Sequence, residues 1–477
     1  MSDEYRVALE QACALALAFH GSRASRSPSA TASFEELWAA LNGSTPEDGM
    51  VAHEVIRQLA EGADAGLMGA AGPRSFAKVT GGSHPVGVAA DWLTSVWGQN
   101  GGSYLGSPAN AVTEQVAARW LLDLLSLPAD CSIGFTTGAT MASFVCLAAA
   151  RGKVLRQAGW NADADGLFGA PAINVCIGND AHATIFAALR YLGLGHNRVI
   201  RIPTDDVGRM QVAALSSALA SHEGPLIVIA QAGQINTGAF DPFSEIADVV
   251  HRHGGWLHVD GAFGLWARAS PGLIHLTAGI EHADSWAVDG HKWLQVPHDC
   301  GYAIVRDAQA HRQAMAFEAS YLPPGGGACR EPFHYVPELS RRARGFATWA
   351  LIRALGRSGI AAMIEQHCRL ARRMAERLAS EPGVEILNQV ELNQFVVQFG
   401  SGESPECRDQ LTKAVVERIQ AAGVCYVGEA VWRDRLVMRF SVISWATTQQ
   451  DIDQSADSIV AAWRQVSAGI IRGRSER

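Results

Sequence analysis

The sequence has no basic stripe, no apolar run near the length of a membrane span, no CxxC pair and no low-complexity block. Each absence excludes a class of function. Lys and Arg number 39 against 47 Asp and Glu, so the net charge is −8 and the pI near 6.1. That balance offers little to neutralise a phosphate backbone, and nucleic acid is not expected as the main partner. No run approaches the ~20 apolar residues that span a bilayer, so no membrane association is expected. The early stretch "ACALALAF" follows Asp3, Glu4 and Glu10, where a secretory leader requires positive charge. The nine cysteines are odd in number, and several sit inside apolar segments such as "SFVCLAAA" and "INVCIG". Reduced, buried thiols of a cytoplasmic protein are distributed this way. The expectation is a soluble cytoplasmic enzyme.

What is present is a chain of 477 residues, 48% hydrophobic and 18% charged, long enough for two to three domains with large cores. Residues 1–65 read as an N-terminal helical arm, broken by the polar link "GSRASRSPSATAS". From 66 to 340, helical stretches alternate with short apolar runs: "PAINVCIG", "PLIVIAQAG", "GWLHVD", "DSWAVD" and "GYAIVR". Such runs suit strands buried on both faces, hence a large α/β domain with a mainly parallel sheet. Ligands in such sheets sit at the carboxyl ends of the strands. Residues 341–477 read as a smaller α+β domain, with long helices and the strands "QFVVQFG" and "RLVMRFSVIS".

The strand ends carry the chemistry. In "GFTTGATMASFVC", Thr137, Gly138, Ala139 and Thr140 mark a strand-to-helix turn. It is either an ordinary cap or a cup for a phosphate, whose charge the helix N-terminus favours. His182 opens the next helix in "GNDAHATIFAALR", as a structural or a catalytic histidine. Asp260 ends the apolar strand "GGWLHVD". It either caps a turn or faces a cation, such as a protonated ring nitrogen, with the small Ala262 leaving room for a flat ring. Lys292, in "DGHKWLQVPHDCG", is a surface residue or an amine that desolvation turns into a nucleophile toward a carbonyl. Together, a phosphate cup, a stacking histidine, an acid for a pyridinium and an amine for an aldehyde meet the needs of pyridoxal phosphate. The histidines of "HRHGG" match no familiar metal-ligand spacing, and no metal is expected.

With these residues in place, the chain resembles the group II pyridoxal-phosphate-dependent decarboxylases, which include aromatic amino acid and glutamate decarboxylases. The resemblance runs from about residue 60 to 460 and is carried by "TGATMAS", "NDAHAT", "HVDGAFG", "DGHKWLQVPHDCG" and "PELSRRARGFATWALIRALGRSG". It implies the type I (aspartate aminotransferase-like) fold, with a seven-stranded, mainly parallel sheet and a smaller C-terminal domain. It further implies that Lys292 forms the internal aldimine, that Asp260 keeps the pyridinium protonated, and that His182 stacks on the ring with Ala262 on its other face. Gly138, Ala139, Thr140 and His291 would surround the phosphate. Tyr321, in the loop "EASYLPPGGGACREP", matches the tyrosine that returns a proton to Cα; the alternative is an incidental tyrosine in a disordered loop. In the family this loop reaches the neighbouring subunit's site, which implies a homodimer with sites at the subunit interface.

The implied reaction is decarboxylation of an L-amino acid to its amine and CO2 through a quinonoid. Transamination or aldehyde formation are the alternatives with the same cofactor, and a non-catalytic scaffold is a more distant one. Three positions depart from the family pattern. "QAGQINTG" lacks the hydroxyl expected near Ile235, where Asn236 is the available substitute. Asp289 stands where relatives often carry asparagine, and a carboxylate facing a phosphate must turn to backbone donors or be offset by a cation. His298 replaces an aromatic pocket residue. His84, Trp92, His298 and Arg439 are candidate substrate contacts, Arg439 being alternatively part of a structural salt bridge.

Overall fold

The computed structural model describes residues 2–23, 25–317 and 330–475. The chain divides into two compact units: Val79–Arg372 with Asn388–Phe395, and Met1–Lys78 with Arg373–Leu387 and Val396–Arg477.

The first unit is built on the expected seven-stranded sheet. Its strands are β1 (Ser132–Thr136), β2 (Asn174–Gly178), β3 (Ile200–Ile202), β4 (Leu226–Gln231), β5 (Trp256–Asp260), β6 (Ser285–Asp289) and β7 (Gly301–Val305), in the order β1-β7-β6-β5-β4-β2-β3. Pairs β2–β3, β2–β4, β4–β5 and β5–β6 are parallel, whereas β7 runs antiparallel to both β6 and β1. Every residue of β4, β5, β6 and β7 is buried, which explains why these strands read as apolar runs without alternation. The helix Ala139–Gln157 lies against the sheet with Ala142, Cys146 and Ala149 fully buried among Ile177, Ile229, Ala287 and Ala303. Alanines keep this contact close, and each large aliphatic side chain buried there contributes about 1.5–3 kcal/mol.

The register brings the chemistry to one edge. Gln231 pairs with Asp260, and Gly301, the first residue of β7, pairs with both Thr136 and Asp289. The carboxyl ends of β1, β4, β5 and β6 therefore converge where the chain turns back into β7.

The second unit holds an antiparallel sheet, β8 (Val384–Ile386), β9 (Gln394–Phe399, of which it takes the part from Val396), β10 (Gly428–Trp432) and β11 (Arg435–Ser441), in the order β10-β11-β9-β8. Its helices include Pro405–Ala422, capped by Ser404, whose hydroxyl accepts the Cys407 N–H. The N-terminal helices Ser2–Ser22, Phe34–Leu41 and Ala52–Ala63 belong to the same unit. Ser33 and Glu36 form a reciprocal capping box at the start of the second of these.

Candidate functional site

A cleft with about 780 Å3 of free space, part of it open to solvent, lies at the strand ends of the large sheet. Thr137, Gly138, Ala139, Thr140, His182, Asp260, Ala262, Asp289, His291 and Lys292 all line it. Residues scattered over more than 150 positions in the chain thus meet in one place, as the topology of a parallel sheet dictates.

Gly138 caps the helix Ala139–Gln157 in an extended conformation. A Cβ at this position would come within 3.0 Å of the His291 ring and 3.2 Å of an Asp289 oxygen, so glycine lets the turn approach both residues. His182 caps the helix Ala183–Tyr191: its Nδ1 accepts the Thr184 N–H (3.4 Å) and lies 2.8 Å from Thr184 Oγ1. This fixes the ring at the rim of the cleft, so the histidine is both a cap and a lining residue.

Asp260 is buried, and its only side-chain hydrogen bond among the described residues comes from the Ala262 N–H at 3.2 Å. Its second oxygen has no donor there. Burial raises its pKa; the positive charges of His182 and Lys292 and the Ala262 N–H oppose that shift, and Asp289 reinforces it. A buried acid with a vacant acceptor position is suited to a cationic donor in the cleft.

Asp289 binds in two directions. One oxygen accepts the Ala139 N–H (2.6 Å) at the helix N-terminus, and the other pairs with Lys292 Nζ at 2.9 Å. Its backbone is held as well: the N–H donates to Ala262 O (2.9 Å), and the carbonyl accepts the buried Trp266 indole N–H (2.9 Å). His291 accepts the Cys300 N–H at Nδ1 (3.3 Å), leaving Nε2 to carry the proton 3.6 Å from Asp289. Burial holds the His291 pKa down, an effect that the Asp289 charge opposes.

Other candidates fall elsewhere. Ile235 lines the cleft, whereas Asn236 is buried with its backbone N–H on Gln234 Oε1 (2.5 Å). His84 caps the helix Pro85–Trp97, and Trp92 is 39% exposed on that helix. The His298 ring sits 4.2 Å from the His291 ring, centroid to centroid. Arg439, in the second unit, donates to the Ala77 carbonyl through Nη2 (2.6 Å) and Nε (3.3 Å), and no carboxylate pairs with it among the described residues. Burial lowers its pKa. Tyr321 lies outside the described residues.

Thr184, Gln231, Gly233 and Phe263 also line the cleft and were not anticipated from the sequence. Gln231 had a legible signal, a polar residue ending the otherwise apolar run "PLIVIAQ" beside the strand of Asp260.

These side chains fit pyridoxal phosphate. The helix start at Gly138–Thr140 suits an anion, one oxygen of Asp260 has no donor among the described residues, Lys292 supplies an amine, and the Asp289 charge is already offset by Lys292. The comparisons with known proteins agree. The pyridoxal-dependent decarboxylase conserved domain matches residues 35–399. The aromatic-L-amino-acid decarboxylase of Bacillus atrophaeus is 27% identical over 90% of this chain and 88% of its own. The L-2,4-diaminobutyrate decarboxylase of Rhizobium meliloti (strain 1021) is 29% identical over 80% of this chain and 75% of its own. In fold, the crystal structure of Oryza sativa TDC with PLP and tryptamine superposes with a TM-score of 0.91 at 24% identity, covering 98% of both chains. The chain belongs to the pyridoxal-dependent decarboxylase family, with pyridoxal phosphate as its cofactor and the removal of an amino acid's carboxyl group as its reaction.

Proposed function

We propose that this cleft is the active site of an L-amino acid decarboxylase in which Lys292 is the covalent anchor of the cofactor. The observation that carries the reading is the pairing of an amine at Lys292 with a buried, donor-seeking acid at Asp260 in one cleft. Bound there, pyridoxal phosphate supplies an electron sink for the pair left on Cα when CO2 departs. Gly138, Ala139 and Thr140 receive the phosphate at the helix start, with His291 beside them. Asp260 holds a proton on the ring nitrogen, and its burial strengthens that interaction. His182 and Ala262 pack against the ring. Lys292 would hold the cofactor covalently through its ε-amine. Tyr321 delivers the proton to Cα.

The substrate is an L-amino acid; His298, whose ring lies 4.2 Å from that of the cleft residue His291, is the contact assigned to its side chain, whereas His84, a helix cap, and Trp92 do not line the cleft. Arg439 is assigned a structural role, since its guanidinium is engaged by a backbone carbonyl. A homodimer is supported by apolar surface in each unit: Phe34, Trp38 and Leu41 on one, and Trp92, Leu93 and Trp97 on the other, are all exposed. A cytoplasmic location is supported by the described cysteines, all of which are free. No described helix is long and apolar enough to cross a membrane.

The test is Lys292→Ala. The purified variant should lack the visible absorbance of the lysine-bound cofactor and should release no CO2 from any common amino acid. A retained band with full turnover would overturn the reading. Assaying amine and aldehyde with the wild type separates decarboxylation from the oxidative outcome.

A further inference from the structure

The turn that carries Lys292 is fastened by a residue that the reaction does not otherwise use. Gln295 is fully buried and sits at φ +64°, in the left-handed region that residues other than glycine seldom occupy. Both ends of its side chain are engaged. Oε1 accepts the Gly82 N–H at 2.7 Å, and Nε2 donates to the carbonyls of Lys292 and Trp293, each at 3.1 Å. Its backbone repeats the pattern, with the N–H on Lys292 O (3.2 Å) and the carbonyl accepting the His84 N–H (3.0 Å). The segment it grips is pressed onto the lysine. A Cβ at Gly81 would lie 2.1 Å from His291 O and 2.6 Å from Lys292 O, and Gly81 and Ser83 both have positive φ (72° and 47°). A leucine or methionine would fill the same space at position 295 but would remove the Oε1 acceptor that the Gly82 N–H uses.

We infer that Gln295 is a positioning residue, one that fixes the Lys292 backbone against the Gly81–His84 segment so that the ε-amine reaches the cofactor aldehyde. The inference rests on the reading of Lys292 as the cofactor's anchor. A lysine ends in a flexible four-carbon stem, so the placement of its Cα limits where the amine can go. Catalytic groups tolerate errors of only about 0.5 Å, which supporting residues must prevent. The Gln295 amide does this by joining Gly82 to the carbonyls of Lys292 and Trp293.

The experiment compares Gln295→Met, which keeps the volume, with Gln295→Gly, which accepts the left-handed backbone without strain. Each is stripped of cofactor and titrated with pyridoxal phosphate. The readouts are the dissociation constant, the pH midpoint of the bound-cofactor absorbance and the melting temperature of the apo form. Both variants should bind the cofactor about tenfold more weakly, and both should shift the pH midpoint. A drop in melting temperature with wild-type affinity and midpoint would reduce Gln295 to a packing residue and overturn the inference. Wild-type binding by Gln295→Gly would overturn it too, by assigning the effect to backbone strain. If Gln295→Met fails to fold, the glycine variant carries the same readouts. Lys292→Ala run in parallel separates the two failures: its loss of the band beside unaltered Gln295 variants leaves the anchor standing and removes only the positioning role.

Discussion

Asp289 Oδ2 and Lys292 Nζ stand 2.9 Å apart, while the other oxygen of Asp289 takes the N–H of Ala139 at the helix that begins the anion cup. The carboxylate thus occupies ground that a phosphate would seek, and it holds the amine that is to meet the aldehyde. Asparagine keeps an acceptor for Ala139 and removes the negative charge. A unit charge near 4 Å is worth about 4 kcal/mol at an effective dielectric of 20, and solvent and the Lys292 charge offset most of it. Asp289→Asn should therefore tighten binding of pyridoxal phosphate roughly three- to tenfold. Fluorescence titration of the apo protein measures this, and weaker binding would show that the carboxylate assists the cofactor.

Asp260→Asn preserves shape and removes the charge that faces the cleft. The variant should still take up cofactor and should lose CO2 release by about a hundredfold or more. Stopped assays of CO2 with a saturated enzyme provide the measurement. Near-wild-type turnover would remove Asp260 from the chemistry.

Asp241 offers a test of stability rather than rate. Its buried carboxylate accepts the N–H of Met210 and of Gln231, both at 2.7 Å, and burial pushes its pKa up to about 6. The native state therefore binds this proton more tightly than the unfolded chain. Stability from this group is complete below the unfolded value of 3.8 and disappears as pH rises through about 6. Asp241→Asn cannot titrate, so the advantage of the wild type over the variant should shrink by about 1.4 kcal/mol between pH 5 and pH 7.5. Urea melts at the two pH values read this difference; an advantage that grew with pH would mean a depressed pKa.

Gly301 and Gly138 touch backbone to backbone. A Cβ on Gly301 would fall 2.5 Å from Gly138 Cα and 2.6 Å from its carbonyl carbon. Gly301→Ala must push β7 away from the start of the anion cup, costing about 1–3 kcal/mol. Thermal melts should register the loss, and the dissociation constant of pyridoxal phosphate should rise with it.

Much of this was legible in the sequence because burial on both faces leaves a plain signature. The runs "LIVIAQ", "WLHVD" and "SWAVD" became β4, β5 and β6, and the residues at their ends became the cleft. Asp260 could be placed because it terminates an apolar strand, and Lys292 because it stands in the turn directly after one, three residues past the end of β6. The Asp289–Lys292 pair could not, since a spacing of three fits a helix, a turn or nothing in particular, and only the turn after β6 folds the lysine back. Gln295 was invisible for a related reason: its amide acts on carbonyls and on Gly82, and main-chain partners leave no trace in residue identity. The same holds for Arg439, where a backbone oxygen takes the place of the carboxylate that a salt bridge would need.

The reversal of β7 has a consequence for how this chain tolerates change. Asp289 and Gly301 are register partners, so everything between them is a hairpin excursion with both feet clamped. That excursion carries Lys292, His291 and the Gln295 tether, and it re-enters the sheet beside Gly138. Inserting or deleting even one residue there would rotate the amine out of reach while leaving the sheet intact, so length drift should be barred in this hairpin.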